Sequence, residues 1–102
     1  METVIDHQLP KFERRGMMVR VNFNEQQFTQ ESEGQEPKTM YRYTTACFGK
    51  TAGRDKRIES IIATKYPTYG AELAALNNGG QDADEYHAFR DLAKQLATES
   101  FE

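Results

Sequence analysis

A proline and a run of four turn-forming residues cut the C-terminal half of the chain into three pieces. This punctuation restricts the fold more than any other feature of the sequence. Ahead of Pro67, the residues Ile58, Ile61, Ile62 and Tyr66 fall at i, i+3, i+4 and i+8, one stripe of a helical period. The residue before a proline is pushed out of the helical region, so this spacing predicts a first helix over 54–66. Thr68 is placed to cap a second helix over 69–77, in which Leu73 and Leu76 share a face and Ala71, Ala74 and Ala75 allow close packing. Asn77-Asn78-Gly79-Gly80 stops it, because both residue types tolerate the left-handed backbone that closes a helix. Asp82 with Glu85 three residues on has the pattern of a capping box, and Asp84 adds negative charge where the helix dipole favours it. A third helix is therefore expected over 82–99, with Tyr86, Phe89, Leu92, Ala93 and Leu96 along one side.

The N-terminal half has a different period. Met17, Val19, Val21 and Phe23 alternate with Met18, Arg20 and Asn22, as in a half-buried strand. A second segment rich in Tyr, Thr and Phe places Tyr41, Tyr43, Thr45 and Cys47 on one face and Met40, Arg42, Thr44, Ala46 and Phe48 on the other. Strands are expected at about 17–30 and 38–48, joined at a polar tip near Glu31 to Pro37. Residues 1–16, interrupted by Pro10, form either an arm or a short strand. The fold class this implies is α+β: a β-hairpin or small antiparallel sheet followed by three helices, in one domain. A two-stranded ribbon is marginal alone and needs helix packing or a third strand.

Leu, Ile, Val and Phe together supply only 18 of 102 residues, so the core is thin. Five Tyr, four Met and a net charge of only −3 nevertheless favour a folded domain over disorder. Self-association or a partner would complete such a core. Met1 to Leu9 has neither the basic start nor the apolar run of a secretory signal, and no apolar stretch is long enough to span a bilayer. A cytoplasmic protein with no membrane contact is the expectation. The single Cys47 excludes an intramolecular disulfide and an all-cysteine zinc site, and its apolar strand neighbours suggest a buried structural thiol. Charge is segregated, with net +4 over residues 39–66, −3 over 24–38 and −5 over 67–102.

Four motifs carry possible chemistry. Gly49-Lys50-Thr51 matches the tail of a phosphate-binding loop, but the glycine required five residues earlier is Thr44, which leaves an ordinary strand-to-helix turn as the better reading. Lys50, Arg54, Lys56 and Arg57 form a basic cluster at the start of the first helix, just downstream of Tyr41, Tyr43 and Phe48. Cations beside aromatics suit single-stranded nucleic acid, although pairing of Arg57 with acids of the third helix would account for it equally, and the chain as a whole is acidic. Asp84, His87 and Asp91 share a helix face at metal-compatible spacing, yet no second ligating segment is evident and a solvated face explains them. Cys47 with a histidine could serve as a nucleophile and its base, against which stands the structural reading of the thiol. No catalytic residue, metal or cofactor is expected.

The run Lys65-Tyr66-Pro67-Thr68-Tyr69-Gly70-Ala71-Glu72-Leu73-Ala74-Ala75-Leu76, followed by Asp84-Glu85-Tyr86-His87-Ala88-Phe89-Arg90, resembles the C-terminal pattern of small phage and prophage proteins of unknown function. A tyrosine-containing turn there leads to an acidic-apolar helix and then to a Tyr-x-x-Phe helix. The resemblance implies a phage-derived, non-enzymatic protein and carries over no site. The expected function is protein–protein interaction, with a partner or with itself, as a phage or prophage accessory or virion-associated component. Tyr41, Arg42, Tyr43, Lys50, Arg54, Lys56 and Arg57 are the expected contact residues, since Tyr and Arg most often anchor interfaces. Nucleic-acid association through the basic cluster at 50–57 is the alternative.

Overall fold

The alternating segment that begins at Met18 forms the longest strand, and the rest of the sheet is assembled on it. In the computed structural model, which describes residues 1–101, four strands pair antiparallel: β1 (Glu2–Ile5), β2 (Phe12–Arg15), β3 (Met18–Gln30) and β4 (Lys38–Gly49), in the spatial order β1-β4-β3-β2. Three helices follow, α1 (Arg54–Ile62), α2 (Tyr69–Asn78) and α3 (Gly80–Glu99). The chain is an α+β fold. The expected hairpin is its centre, and residues 1–16 supply both edge strands. β1 lies along β4 from Glu2 opposite Thr44 to Ile5 opposite Tyr41. β2 returns into β3 through Gly16 and Met17; Gly16 takes φ +58°, the left-handed first position that a two-residue hairpin turn of the II′ class requires.

The two faces of the sheet are buried in different ways. Val19, Val21, Phe23, Ala46 and Phe48 point at the helices and meet Ile58 and Ile61 of α1 and Phe89, Ala93 and Leu96 of α3. On the other face, residues 6–11 cross the sheet from β1 to β2 above a polar layer. The Leu9 amide donates to the Tyr43 hydroxyl (3.0 Å), and Tyr43 donates to Glu25. Thr45 donates to Asn22 Oδ1 (3.1 Å), and the Asn22 amide donates to the Pro10 carbonyl (3.0 Å) and to Glu13 (2.9 Å). Thr3 accepts from Arg20 (2.6 Å) and, because Thr45 gives its only proton to Asn22, donates to Thr45 (2.8 Å). Buried polar groups are tolerated when satisfied in this way. Where β3 leaves this layer, Asn24 and Glu25 together oppose Tyr43 in a bulge, with Asn24 at φ +54°, a conformation asparagine adopts at less cost than most residues.

The helices depart from expectation at their ends. α1 stops at Ile62 rather than residue 66; the Thr64 hydroxyl donates to the Ile61 carbonyl (2.7 Å), and a turn leads into Pro67. Tyr66 still packs edge-on against Tyr86, with ring centroids 5.2 Å apart. Thr68 caps α2 as expected, its hydroxyl accepting from the Ala71 amide (3.1 Å). The Asp82–Glu85 capping box is absent: α3 begins at Gly80, with Gly79 (φ +63°) serving both helices, so Asp82 lies inside the first turn and accepts from Asn78 (3.1 Å). On α2 Ala75 is buried and Ala71 half-buried, whereas Ala74, Leu73 and Leu76 are exposed.

Arg57 joins the layers. It sits beside Ile58 and Ile61 on the inner side of α1, only 3% exposed, and does not reach an acid of α3. Its guanidinium donates to the carbonyls of Lys50 (2.8 Å), Ala52 (2.9 Å) and Ser100 (3.2 Å) and to the Ser100 hydroxyl (2.9 Å). The rings of Phe48 and Phe101 flank it at 4.9 and 3.8 Å. Burial pulls its pKa below the ordinary value, and the nearby charge of Arg14 adds to that. The loss of hydration is offset by carbonyl dipoles and by the negative end of α3, which favours a cation. Truncating the group strands several acceptors and empties the space between two rings. Arg57→Ala is therefore expected to lower unfolding free energy by about 3–5 kcal/mol in urea titrations. Arg57→Lys should recover only a minor part, since one ammonium cannot span the same acceptors.

Candidate functional site

The seven expected contact residues do not form one surface. Gly49 pairs with Met18 at one end of the β3–β4 ribbon and Arg42 lies seven residues back along β4, a separation of about 23 Å at the usual strand rise. Two of the seven are also withdrawn from solvent. Arg57 spends its donors inside the fold, and Tyr43 is buried under residues 6–11 with its hydroxyl engaged by Leu9 and Glu25. Neither presents a side chain to a partner. Alternation and sequence proximity to other cations say nothing of the segments that cover them.

Tyr41 and Arg42 belong to the first surface. Beyond Ile5 of β1, which lies opposite Tyr41, the ribbon continues as two strands only, from Phe28 opposite Met40 to Gln30 opposite Lys38. Arg42 is exposed, pairs with Glu2 (2.8 Å) and lies over the Phe28 ring at 5.0 Å, and Phe28 is opposite Met40 on the same side. An open polar groove of about 620 Å³ runs beside it, lined by Glu2, Asn24, Gln26, Arg42, Thr44 and Thr64. The strained Asn24 thus sits at a groove wall. Among the described residues, Glu31, Glu33 and Glu36 at the ribbon tip enter no ion pair.

Lys50, Arg54 and Lys56 belong to the second surface, the base of the ribbon. The sequence reading missed most of what surrounds them. The Lys50 amide donates to the Met17 carbonyl (2.7 Å), which brings the β2–β3 turn alongside. Arg14 donates to the Ser100 carbonyl (3.0 Å), and Arg54 donates to Thr98 (3.1 Å), which brings in the end of α3. Met17, Met18 and Phe101 are all exposed here. The signal available in the sequence was Arg14-Arg15-Gly16-Met17-Met18, a glycine turn flanked by cations and two methionines that no core could absorb.

The other candidate chemistries find little to build on. The sheet is antiparallel throughout, so Gly49-Lys50-Thr51 is not held in the parallel strand–loop–helix unit a phosphate-binding loop uses. Cys47 is exposed rather than buried, opposite Arg20 on the outer face of β4. His7 sits beside Asp6 (3.0 Å), and His87 stacks near Tyr86. No group of three or more His, Cys, Asp or Glu side chains able to hold a metal occurs among the described residues; Asp84, His87 and Asp91 are exposed on α3. A second open cleft of about 430 Å³ between the helices mixes Arg54, Arg90 and Lys94 with Asp55, Glu59 and Glu72. At its floor Tyr86 donates to Glu72 (2.8 Å). No helix of the described chain is long and apolar enough to cross a membrane. Comparisons with protein-family models, with curated proteins and with solved structures gave no match.

Burial first, and then donation to Glu25, raises the Tyr43 phenol above its ordinary 10.0; burial and Glu72 do the same for Tyr86. A folded-state pKa raised above the unfolded one gives stability that is complete below pH 10.0 and lost as pH climbs through the folded value. Stability measured by denaturant at stepped alkaline pH should therefore fall above pH 10.0. Tyr43→Phe combined with Tyr86→Phe should be less stable at neutral pH but show a shallower alkaline decline.

Proposed function

We propose that this chain is a non-enzymatic binding protein that docks onto another protein, or onto a second copy of itself, through the projecting β3–β4 ribbon. The observation that carries this reading is the ribbon's outer third, which runs past both edge strands. It offers Phe28 and Met40 on one side, with Tyr41 and Arg42, still flanked by Ile5 and Val4 of β1, at its root. Aromatic, Met and Arg side chains are the types enriched at interfaces, and two strands without flanking neighbours gain packing on contact. The resemblance of the C-terminal half to small phage and prophage proteins supports a setting as an accessory or virion-associated component. Nucleic-acid association is the second reading, favoured by the exposed cations Lys50 and Lys56, which enter no ion pair among the described residues.

A photo-reactive benzoylphenylalanine placed at Tyr41 and irradiated in producing cells tests the docking reading. Discrete protein adducts are expected at that position and not with the same group at Asp91 on the solvent face of α3. Absence of protein adducts at Tyr41 would remove the docking reading. The second reading requires single-stranded oligonucleotide binding that falls log-linearly with salt and is lost in Lys50→Glu with Lys56→Glu.

A further inference from the structure

We infer that the acidic ribbon tip of one copy docks on the basic, methionine-bearing base of the next, so that the chain associates head to tail; this rests on the docking reading and names its partner. Tip and base lie at opposite ends of one hairpin. Its longer strand, Met18–Gln30, spans about 40 Å at the usual rise, in a molecule 49 Å along its longest axis. The tip therefore cannot reach its own base.

The base exposes apolar surface inside a rim of cations. Met17 is 65% exposed, Met18 49% and Phe101 54%. Arg15 is opposite Met18 in the β2–β3 pairing, and Lys50 is bonded to Met17. A surface of this kind accepts a partner that brings carboxylates and some apolar bulk. Two parts of the chain are acidic enough. On α3 Asp82 accepts from Asn78 and Glu85 is held by Gln81 and Lys65, while Asp84 and Asp91 are exposed with no large apolar side chain of α3 exposed beside them. At the tip Glu31, Glu33 and Glu36 are exposed, without ion pairs among the described residues, and the half-buried Phe28 and Met40 stand behind them past the Thr29–Thr39 and Gln30–Lys38 pairs. The tip matches the base in charge and in apolar content.

Each copy carries one tip and one base, so the contact is heterologous and leaves a free site at either end of any assembly that does not close into a ring. Charge complementarity of this sort steers association and weakens as salt screens it. Light scattering and native mass spectrometry across protein concentration test it. At low salt, species of two and more times 11.7 kDa are expected, and they should dissociate as salt is added. Two neutralised variants make the geometry decisive. One carries Glu31→Gln, Glu33→Gln and Glu36→Gln; the other carries Arg15→Gln and Lys50→Gln. All five positions are exposed, and unchanged circular dichroism and melting would establish that the folds are intact. Each variant alone should be monomeric. Their equal mixture should form a two-chain species and nothing larger, because only one joint is competent. A wild-type protein that stays monomeric at every concentration, association that survives in either variant, or a mixture that remains monomeric would overturn head-to-tail docking. Adducts at position 41 to proteins other than this chain would then still uphold the docking reading, and their absence would end both.

Discussion

The buried guanidinium of Arg57 is the contact on which the packing of helices against sheet depends. It takes the carbonyls of Lys50 and Ala52 from the turn between β4 and α1 and that of Ser100 from the C-terminus of α3, so that its own helix is tied to two segments far apart in sequence. Each carbonyl belongs to backbone that regular structure leaves without a donor. A hydrophobic side chain at this position would fill the volume but satisfy none of them. An acidic partner would satisfy the charge but leave the carbonyls unpaired. In a chain so poor in Leu, Ile, Val and Phe, one polar side chain that fixes three segments does work that larger proteins distribute over apolar contacts.

The same economy governs the outer face of the sheet. A four-stranded sheet with helices on one side can leave its other side in water, with polar side chains alternating outward. Here residues 6–11 pass over that side, and the outward residues Asn22, Tyr43 and Thr45 become buried without becoming apolar. The covering segment is backbone-rich and holds Pro10, whose carbonyl accepts from Asn22. A polar layer is the appropriate match for such a cover, because exposed amides and carbonyls of the crossing chain find partners in it. The ion pair of Lys11 with Glu99 (2.6 Å), which draws the Glu99 carboxyl below its ordinary range chiefly by hydrogen bonding, ties the cover to the end of α3. Being exposed, that pair is worth little by itself.

What the sequence made legible follows from the range of each interaction. Thr68, the Asn77 to Gly80 stop, the alternation of β3 and β4 and the polar tip are all local, and each appears where local physics places it. β1 and β2 are four-residue strands whose only reason to be strands is a partner about forty positions away for β1 and across a turn for β2, and nothing inside them signals it. Arg57 looked like one cation among four because its helix-face position, next to Ile58 and Ile61, was weighed less than its neighbours' charge. Cys47 was judged by its apolar neighbours, although its parity with Tyr43 and Thr45 put it on the outer face, past the reach of the covering segment. Of the candidate site, the cluster of Lys50, Arg54 and Lys56 was visible, but the turn carrying Met17 and Met18 joins it only through strand pairing.

The character of the ribbon bears on how it would meet another molecule. An unpaired strand edge invites a further strand, and proteins that avoid this twist the edge or load it with polar and charged groups. β3 does both beyond Phe23: the bulge at Asn24 and Glu25 interrupts the ladder and increases the local twist. Gln26, Gln27, Thr29 and Gln30 then follow with Phe28 as the single large apolar residue. Sideways addition of a strand would have to cross the bulge and would align glutamines and threonines, with little apolar area gained. The apolar and charged groups of the ribbon are instead placed on its faces and at its end, where Phe28, Met40 and the tip glutamates lie within one short stretch. A surface that takes carboxylates first and an aromatic behind them would thus suit the tip better than an added strand would suit the edge.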